Sequence, residues 1–409
     1  MPIDELHLRL KRTKLHVRPP AEPPGDEEFE LTLDVQPIEL EVLRYLRECL
    51  CSAMPHHPTG KGWFDFFGRR LAARLHPDAT RYFLHDRDTA LRVFLEIDPP
   101  VDDDGRALRD APWELLRFAA GRGTEAVLGT SPKLSVTRLL PVDATHARLG
   151  PVFKDNLRVL LIDASTAAGA DLAGEQVRSH IASQIQSQVE LWTGKDLRAC
   201  SEQLRALKRS ALTDGEFDII HILGHGRTVN DQVEIRVDDD GALSASEIAE
   251  VTAGRCRAVI LQSCSTSAAA PELLRRGPEA VVAMSYDVER DPSTRFITKL
   301  YQRLAAGDPI DAAVQQGRAF LDPDGRAAPV GAPVLYARTR QPVAFRGSSR
   351  DRPAAATVGG KDEPAPAPPT RDADAVATAT SSPPRKPAAP PTERPRTSLL
   401  RVRANREDA

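Results

Sequence analysis

The chain has 409 residues, of which 41% are hydrophobic, and a formal net charge of −3. That length accommodates two or three domains. The weak charge, with no basic block interleaved with aromatics, sets nucleic acid aside as a partner. No run approaches the ~18 apolar residues of a membrane helix. The five cysteines, Cys49, Cys51, Cys200, Cys256 and Cys264, form an odd, scattered set with no C-x-x-C unit. This is neither a disulfide framework nor a metal knuckle, and it fits a reducing cytoplasm. The charged first turn (Asp4, Glu5, Arg9, Lys11, Arg12) does not resemble a signal peptide, so a soluble cytoplasmic protein is expected.

Residues 1–150 read as a smaller α+β region. Leu6 to Leu10 and Phe29 to Val35 alternate apolar with polar, the period of half-buried strands. Pro37 to Cys51 predicts a helix with Leu40, Leu43, Leu46 and Leu50 on one stripe. Leu91 to Ile97 and Leu134 to Leu139 are further strands, and Ala111 to Leu116 reads as a Pro-initiated helix.

Residues 151–345 alternate strand and helix. Strands are expected at Leu157 to Ile162, Val189 to Trp192, Phe217 to Leu223, Ala258 to Leu261, Ala280 to Tyr286 and Pro333 to Ala337. Helices are expected at Asp171 to Gln186, from a cap at Asp196 to Leu212, from a Ser244–Glu247 capping box, at Asp291 to Leu304, and after Asp308-Pro309. Val233 to Val237 suggests a hairpin arm. The expected fold class is therefore α/β, a mostly parallel sheet flanked by helices. From about Arg346 the apolar pattern ends. Residues 346–409, rich in Pro and Ala, read as a disordered tail that buries too little surface to offset its ordering entropy.

Two strand ends carry the chemistry. One is His221-Ile222-Leu223-Gly224-His225-Gly226, the other Leu261-Gln262-Ser263-Cys264-Ser265-Thr266. Ligands in parallel sheets sit beyond the carboxyl ends of the strands, and both motifs occupy that edge. Small polar neighbours put Cys264 in a loop, where a thiol is activated by a nearby imidazole. Glycines on both sides of His225 permit unusual backbone angles and close substrate approach. His221, inside an apolar run, is expected to pack or to make a structural hydrogen bond. Cys200 and Cys256 are expected to be structural. No third ligand of good spacing supports a metal site at the histidines.

These motifs resemble the CHAT family of bacterial caspase-like cysteine proteases. The resemblance rests on H-x-x-x-H-G after a strand, the hairpin arm, and the strand ending in Gln262-Ser263-Cys264, which is similar to the Gln-Ala-Cys of caspases. Met284-Ser285-Tyr286-Asp287-Val288 resembles the family's strand with Ser-x-Trp and a following acid, with Tyr286 where Trp is common. The resemblance covers 151–345 well and 90–150 loosely. It implies a caspase-like sheet and a cysteine endopeptidase needing no metal or organic cofactor. Cys264 would be the nucleophile and His225 its acid–base partner. The amides of Gly226 and Cys264 would form the oxyanion hole, and Ser285, Tyr286 and Asp287 would line the substrate pocket, Asp287 facing a P1 Arg or Lys. It also implies a protein substrate, such as a gasdermin-like pore former, an upstream activator, and a role in bacterial antiviral defence or programmed death. Residues 1–150 would sense or dock.

Two other readings remain open. A catalytically silent CHAT module would keep the fold for interaction alone. A nucleotide-binding domain would need a Gly-rich phosphate loop, and Asp163 to Gly169 lacks one.

Overall fold

The chain divides into two units, Met1–Ala355 and Ala356–Ala409. The computed structural model describes residues 3–11, 14–18, 29–32, 68–69, 72, 90–97, 109–119, 125–131, 133–140, 142, 157–164, 177–179, 181–183, 188–207, 217–229, 232–238, 241–288, 290–321, 330–341 and 343–345. The predicted helix at Pro37 to Cys51 and the predicted disordered tail lie outside these residues. So does most of the predicted helix at Asp171 to Gln186, of which 177–179 and 181–183 are helical.

Sixteen strands are described. The first seven are β1 (Ile3–Lys11), β2 (Lys14–Arg18), β3 (Phe29–Thr32), β4 (Ala90–Ile97), β5 (Arg117–Ala119), β6 (Glu125–Val127) and β7 (Leu134–Leu139). Then come β8 (Arg158–Asp163), β9 (Gln188–Thr193), β10 (Ile219–Leu223), β11 (His225–Val229), β12 (Gln232–Asp238) and β13 (Gly241–Ser244). The last are β14 (Ala258–Gln262), β15 (Ala280–Met284) and β16 (Pro333–Ala337). The helices are α1 (Gly194–Leu207), α2 (Ala245–Thr252), α3 (Ala270–Arg276), α4 (Arg290–Ala305) and α5 (Ile310–Ala319). Eleven strands form one sheet in the order β3-β2-β1-β4-β7-β16-β15-β14-β10-β8-β9. Its pairs are parallel except β1–β2, β2–β3 and β15–β16. The chain is thus the expected α/β protein with a mostly parallel sheet flanked by helices.

The continuous apolar runs follow from burial on both faces. Every residue of β10, β14, β15 and β16 is buried. On one face, Val159, Leu161, Ile219, Ile260, Val282 and Met284 pack with Phe296, Leu300 and Tyr301 of α4 and Val314 of α5. On the other, Leu160, Ile162, Ile220, Ile222, Val259 and Leu261 meet Leu197 of α1, Ile248 of α2 and Leu273 of α3. Each buried side chain of this size contributes roughly 1.5–3 kcal/mol.

The strands β1 to β4 extend the same sheet through β7, which pairs with β16, while β5 and β6 form a separate pair. Polar clamps hold the join. Asp311 of α5 accepts from Arg92 Nε of β4 at 2.7 Å and from Ser135 Oγ of β7 at 3.1 Å. Arg138 of β7 donates to both carboxylate oxygens of Glu114 and to the carbonyls of Arg109 and Ala111. Glu114 sits in a single 3-10 turn, Trp113–Leu115, where a longer helix was expected. The turn cannot lengthen because Arg117 already starts β5.

Two capping expectations change in detail. Thr193 precedes α1, and its amide donates to Asp196 while Asp196 N donates back to Thr193 Oγ1. Asp196 is therefore the third residue of a capping box and not the cap. Asp308 does not cap α5, whose cap position is Pro309; its carboxylate pairs with Arg303 at 2.6 Å. The Ser244–Glu247 box of α2 forms as read, with both reciprocal hydrogen bonds present.

Candidate active site

Parallel pairing of β10 with β14, with Leu223 beside Gln262, sets the two motif-bearing strand ends side by side. Past Leu223 the chain passes Gly224 and enters β11 at His225. β11 pairs with β12, and β12 with β13, so the expected arm is three-stranded and His225 opens its first strand. His225 is exposed.

Past Gln262 the chain turns sharply. Ser265 has φ 54°, the one non-glycine residue with positive φ among those described. Such a conformation costs about 1 kcal/mol or more in a residue with a Cβ and persists only where surroundings impose it. Thr266 imposes it. Its Oγ1 donates to the Ser263 carbonyl at 2.8 Å, and its amide donates to the Met284 carbonyl at 2.8 Å. Thr228 Oγ1 of β11 donates to the Ser265 carbonyl at 3.2 Å. The loop bearing Cys264 is thereby tied to β15 on one side and to the His225 strand on the other.

Gly226 explains why glycine follows His225. A Cβ there would run into the carbonyl oxygen of Cys264, and would come 2.8 Å from Thr266 Cγ2 and 3.2 Å from Ser263 Cβ. Neither Gly224 nor Gly226 has positive φ. The sequence argument from unusual backbone angles is therefore corrected: what requires glycine at 226 is contact between two backbones.

His221 is buried below the edge and performs the structural role expected of it. Its Nε2 lies 3.0 Å from Gln262 Oε1, and its Nδ1 lies 3.3 Å from the Tyr301 hydroxyl, with the rings stacked. Gln262 Nε2 in turn donates to Ser293 Oγ at 3.1 Å. With Gln262 Oε1 able only to accept, Nε2 carries the His221 proton and Nδ1 accepts from Tyr301. Burial depresses this imidazole to a pKa of about 3, against a smaller upward pull from Gln262, so it is neutral. The chain Tyr301–His221–Gln262–Ser293 pins α4 to the two motif-bearing strands.

Cys264 is part-buried, and its thiol is pushed above its ordinary pKa. Burial acts first. A hydrogen bond from the Val288 amide pulls the other way, and the charge of Asp287 and a hydrogen bond to its carboxylate push it up again. Asp287 Oδ1 also accepts from Ser265 Oγ at 3.1 Å. Asp287 is thus beside the sulfur, a contact that sequence reasoning missed when it assigned this acid to a substrate side chain. The adjacency could have been sought in β14–β15 pairing, since Leu261 opposite Ala283 sets both following loops at one edge.

The three residues assigned to the substrate pocket meet different surroundings. Asp287 lies at the thiol. Ser285 has a buried Oγ without a partner, but its amide already donates to the Ala332 carbonyl at 2.8 Å. The Tyr286 side chain is 1% exposed and belongs to the hydrophobic core. A Cβ at Gly331 would come 2.7 Å from its hydroxyl and 2.8 Å from Leu115 Cγ. Tyr286 therefore supports the strand end from beneath. Cys256 is fully buried, as expected of a structural thiol, while Cys200 is part-buried beside Arg255 Nη1 at 3.7 Å. Among the described residues no helix is long and apolar enough to cross a membrane, and no group of three or more His, Cys, Asp or Glu is placed to hold a metal ion.

Comparison with solved structures finds similar chains. The yeast (Saccharomyces cerevisiae) separase in complex with securin matches at a TM-score of 0.45 and 12% identity, covering 84% of this chain and 30% of that one. The Arg-specific cysteine proteinase gingipain R of Porphyromonas gingivalis matches at 0.38 and 10%, covering 73% and 74%. The Drosophila initiator caspase Dronc matches at 0.33 and 11%, covering 53% and 97%. The chain spans less than a third of the separase length. Among curated proteins none matches in sequence. The CHAT domain family matches residues 100–353, a span holding both strand-end motifs and the strands β7 to β16, and the chain belongs to that family.

Proposed function

We propose that the chain is a cysteine endopeptidase in which Cys264 is the nucleophile and His225 its acid–base partner. One observation carries this reading: the backbone after His225 packs against the backbone of Cys264 so closely that only glycine fits at 226. In the reaction the sulfur, having given its proton to the imidazole, forms a bond to the scissile carbonyl carbon. The C–N bond then breaks, and the imidazole returns the proton to the leaving amine. Water, giving a proton to the same imidazole, attacks the thioester carbon; the C–S bond breaks, the new carboxyl terminus leaves, and the imidazole returns the proton to the sulfur. The amides of Gly226 and Cys264 would receive the oxyanion, whose charge exists only along the reaction path.

Asp287 is the specificity determinant of this reading, its carboxylate suited to a P1 Arg or Lys. Ser285 and Tyr286 would support the pocket from the strand end, Tyr286 through packing. The substrate is a protein partner, with a gasdermin-like pore former and an upstream activator as candidates, and the setting is bacterial defence in the cytoplasm. Residues 1–150 would sense or dock, 151–345 would hold the catalytic unit, and 346–409 would be an appended tail.

One observation favours the silent-module reading: the thiol is pushed up in pKa, by burial and then by Asp287. A panel of peptides ending in Arg, Lys or Asp, assayed with the intact chain and with Cys264→Ala and His225→Ala, separates the two. The endopeptidase reading expects cleavage after Arg or Lys, lost by at least about 10³-fold in both variants. Equal turnover in Cys264→Ala, or none with any peptide, refutes it.

A further inference from the structure

A thiol that must ionise lies against a carboxylate that disfavours ionisation. Asp287 accepts from Ser265 Oγ at 3.1 Å, which aims it at the loop holding Cys264. The loop cannot drift away, because Thr266 binds the Ser263 and Met284 carbonyls and Ser265 is held at φ 54°. Among the described residues, the other charged or titratable groups on the elements that meet at this edge include Asp163 at the end of β8, His225 and Arg227 on β11, Glu234 and Arg236 on β12, and Arg290 and Asp291 at the start of α4. Arg227 is paired with Glu234 at 2.7 Å. Burial is the largest influence on the sulfur, and the charge of Asp287 adds to it in the same direction, against the pull of the Val288 amide. The same residue is the acid that the proposed function assigns to a basic P1 side chain.

We propose that Asp287 gates the nucleophile: without substrate its carboxylate rests on the loop of Cys264 through Ser265, and a guanidinium or ammonium group entering the primary pocket takes that carboxylate and frees the sulfur to react. This rests on the reading of Cys264 as nucleophile and of Asp287 as the acid facing P1. Two things change when the cation arrives. The carboxylate's charge is compensated, and a positive charge replaces it near the sulfur; both favour the thiolate. The proton leaving Sγ passes to the His225 imidazole. A basic side chain is therefore selected twice, once by its contact with Asp287 and once by switching on the attacking group. Peptides without one bind beside a thiol that stays neutral.

The test reads the thiol directly. Carbamidomethylation of Cys264 by iodoacetamide, in which the sulfur displaces iodide, is followed by mass spectrometry of the peptide that carries it. The full chain is used, from pH 6 to pH 9. The probes are agmatine, a guanidinium, and butylurea, an uncharged control, at matched ionic strength. In the unmodified chain agmatine is expected to raise the rate at pH 7 by about tenfold, the equivalent of one unit of thiol ionisation, and butylurea to leave it alone. Asp287→Asn is expected to label about as fast without any probe, with its pH midpoint moved down and no response to agmatine. A rate unchanged or slowed by agmatine overturns the gate, and so does an Asp287→Asn midpoint equal to that of the unmodified chain. The agmatine arm decides alone if the variant does not fold. Peptide cleavage is not read here. An ungated thiol in an enzyme that still loses cleavage with Cys264→Ala refutes the gate alone, and a gated thiol in a chain that cleaves nothing refutes the peptidase alone.

Discussion

Gly226→Ala isolates the contact on which the candidate site depends. Alanine can adopt the backbone of this residue, whose φ is not positive, so the substitution carries no conformational penalty of the left-handed kind. Its cost is steric. The new methyl would meet the Cys264 carbonyl, Thr266 Cγ2 at 2.8 Å and Ser263 Cβ at 3.2 Å, where ordinary contact begins at 3.4 Å. All three obstacles are atoms of the loop that Thr266 ties to β15, so none can rotate aside as the end of a long side chain would. The two strand ends must separate by at least several tenths of an ångström. Overpacking of this kind costs about 1–3 kcal/mol of stability. Misplacing reacting groups by about 1 Å costs on the order of 10²-fold in rate. The assay is kcat/KM on the best Arg or Lys peptide, with urea unfolding in parallel. A variant that keeps most of its stability but loses on the order of 10²-fold in kcat/KM fits the argument. Cleavage within twofold of the unmodified chain would mean that the approach of the His225 and Cys264 backbones is irrelevant to turnover, and the site would have to be sought elsewhere.

Two further predictions concern what holds the edge in place. Glu114→Gln leaves the buried guanidiniums of Arg138 and Arg318, 2% and 0% exposed in their side chains, without their shared carboxylate. Loss of about 3–5 kcal/mol by urea unfolding is expected. Glu234→Gln at the exposed Arg227 pair should cost no more than about 1 kcal/mol, and similar losses in the two variants would refute the burial argument. His221 supplies a pH dependence with a definite sign. Its folded pKa of about 3 lies below the ordinary 6.5, so the unfolded chain binds the proton first. Its contribution is complete above pH 6.5 and is lost as pH falls toward 3, by about 2 kcal/mol at pH 5. His221→Gln should remove one proton's worth of slope from the urea midpoint across that window; an unchanged slope would contradict a neutral buried imidazole.

The sheet was legible because burial on both faces leaves a plain mark. Runs such as Ala258 to Leu261 and Ala280 to Met284 are almost free of polar side chains, and such strands admit few alternatives. β2, whose sequence Lys-Leu-His-Val-Arg carries no long apolar run, went unread, and the turn at Trp113 was read as a longer helix because Pro112 is as good an opening for one as for the other. The motif residues were legible as strand ends. Their mutual arrangement was not, since it depends on the β10–β14 register and on a single threonine, Thr266, whose partners Ser263 and Met284 are near and far in sequence at once.

Asp287 shows where the limit lies. Its position after β15 pointed to the substrate side of the sheet, and that much follows from chain order. Whether its carboxylate addresses a ligand or the sulfur depends on how two adjacent loops fold over one edge, and a difference of a few ångströms reverses its effect, from an acid that only binds to one that also suppresses the nucleophile. The structure brings it to the thiol through Ser265, the residue whose backbone is strained. Strain at that residue and the Asp287 contact thus belong to one arrangement. Relaxing φ at 265 would turn Oγ away from Asp287 and release the carboxylate, so the energy stored in the turn is offset in part by the hydrogen bond that positions the acid. Under the proposed gate, a site built this way would hold its sulfur in check with the same residue that would recognise the substrate.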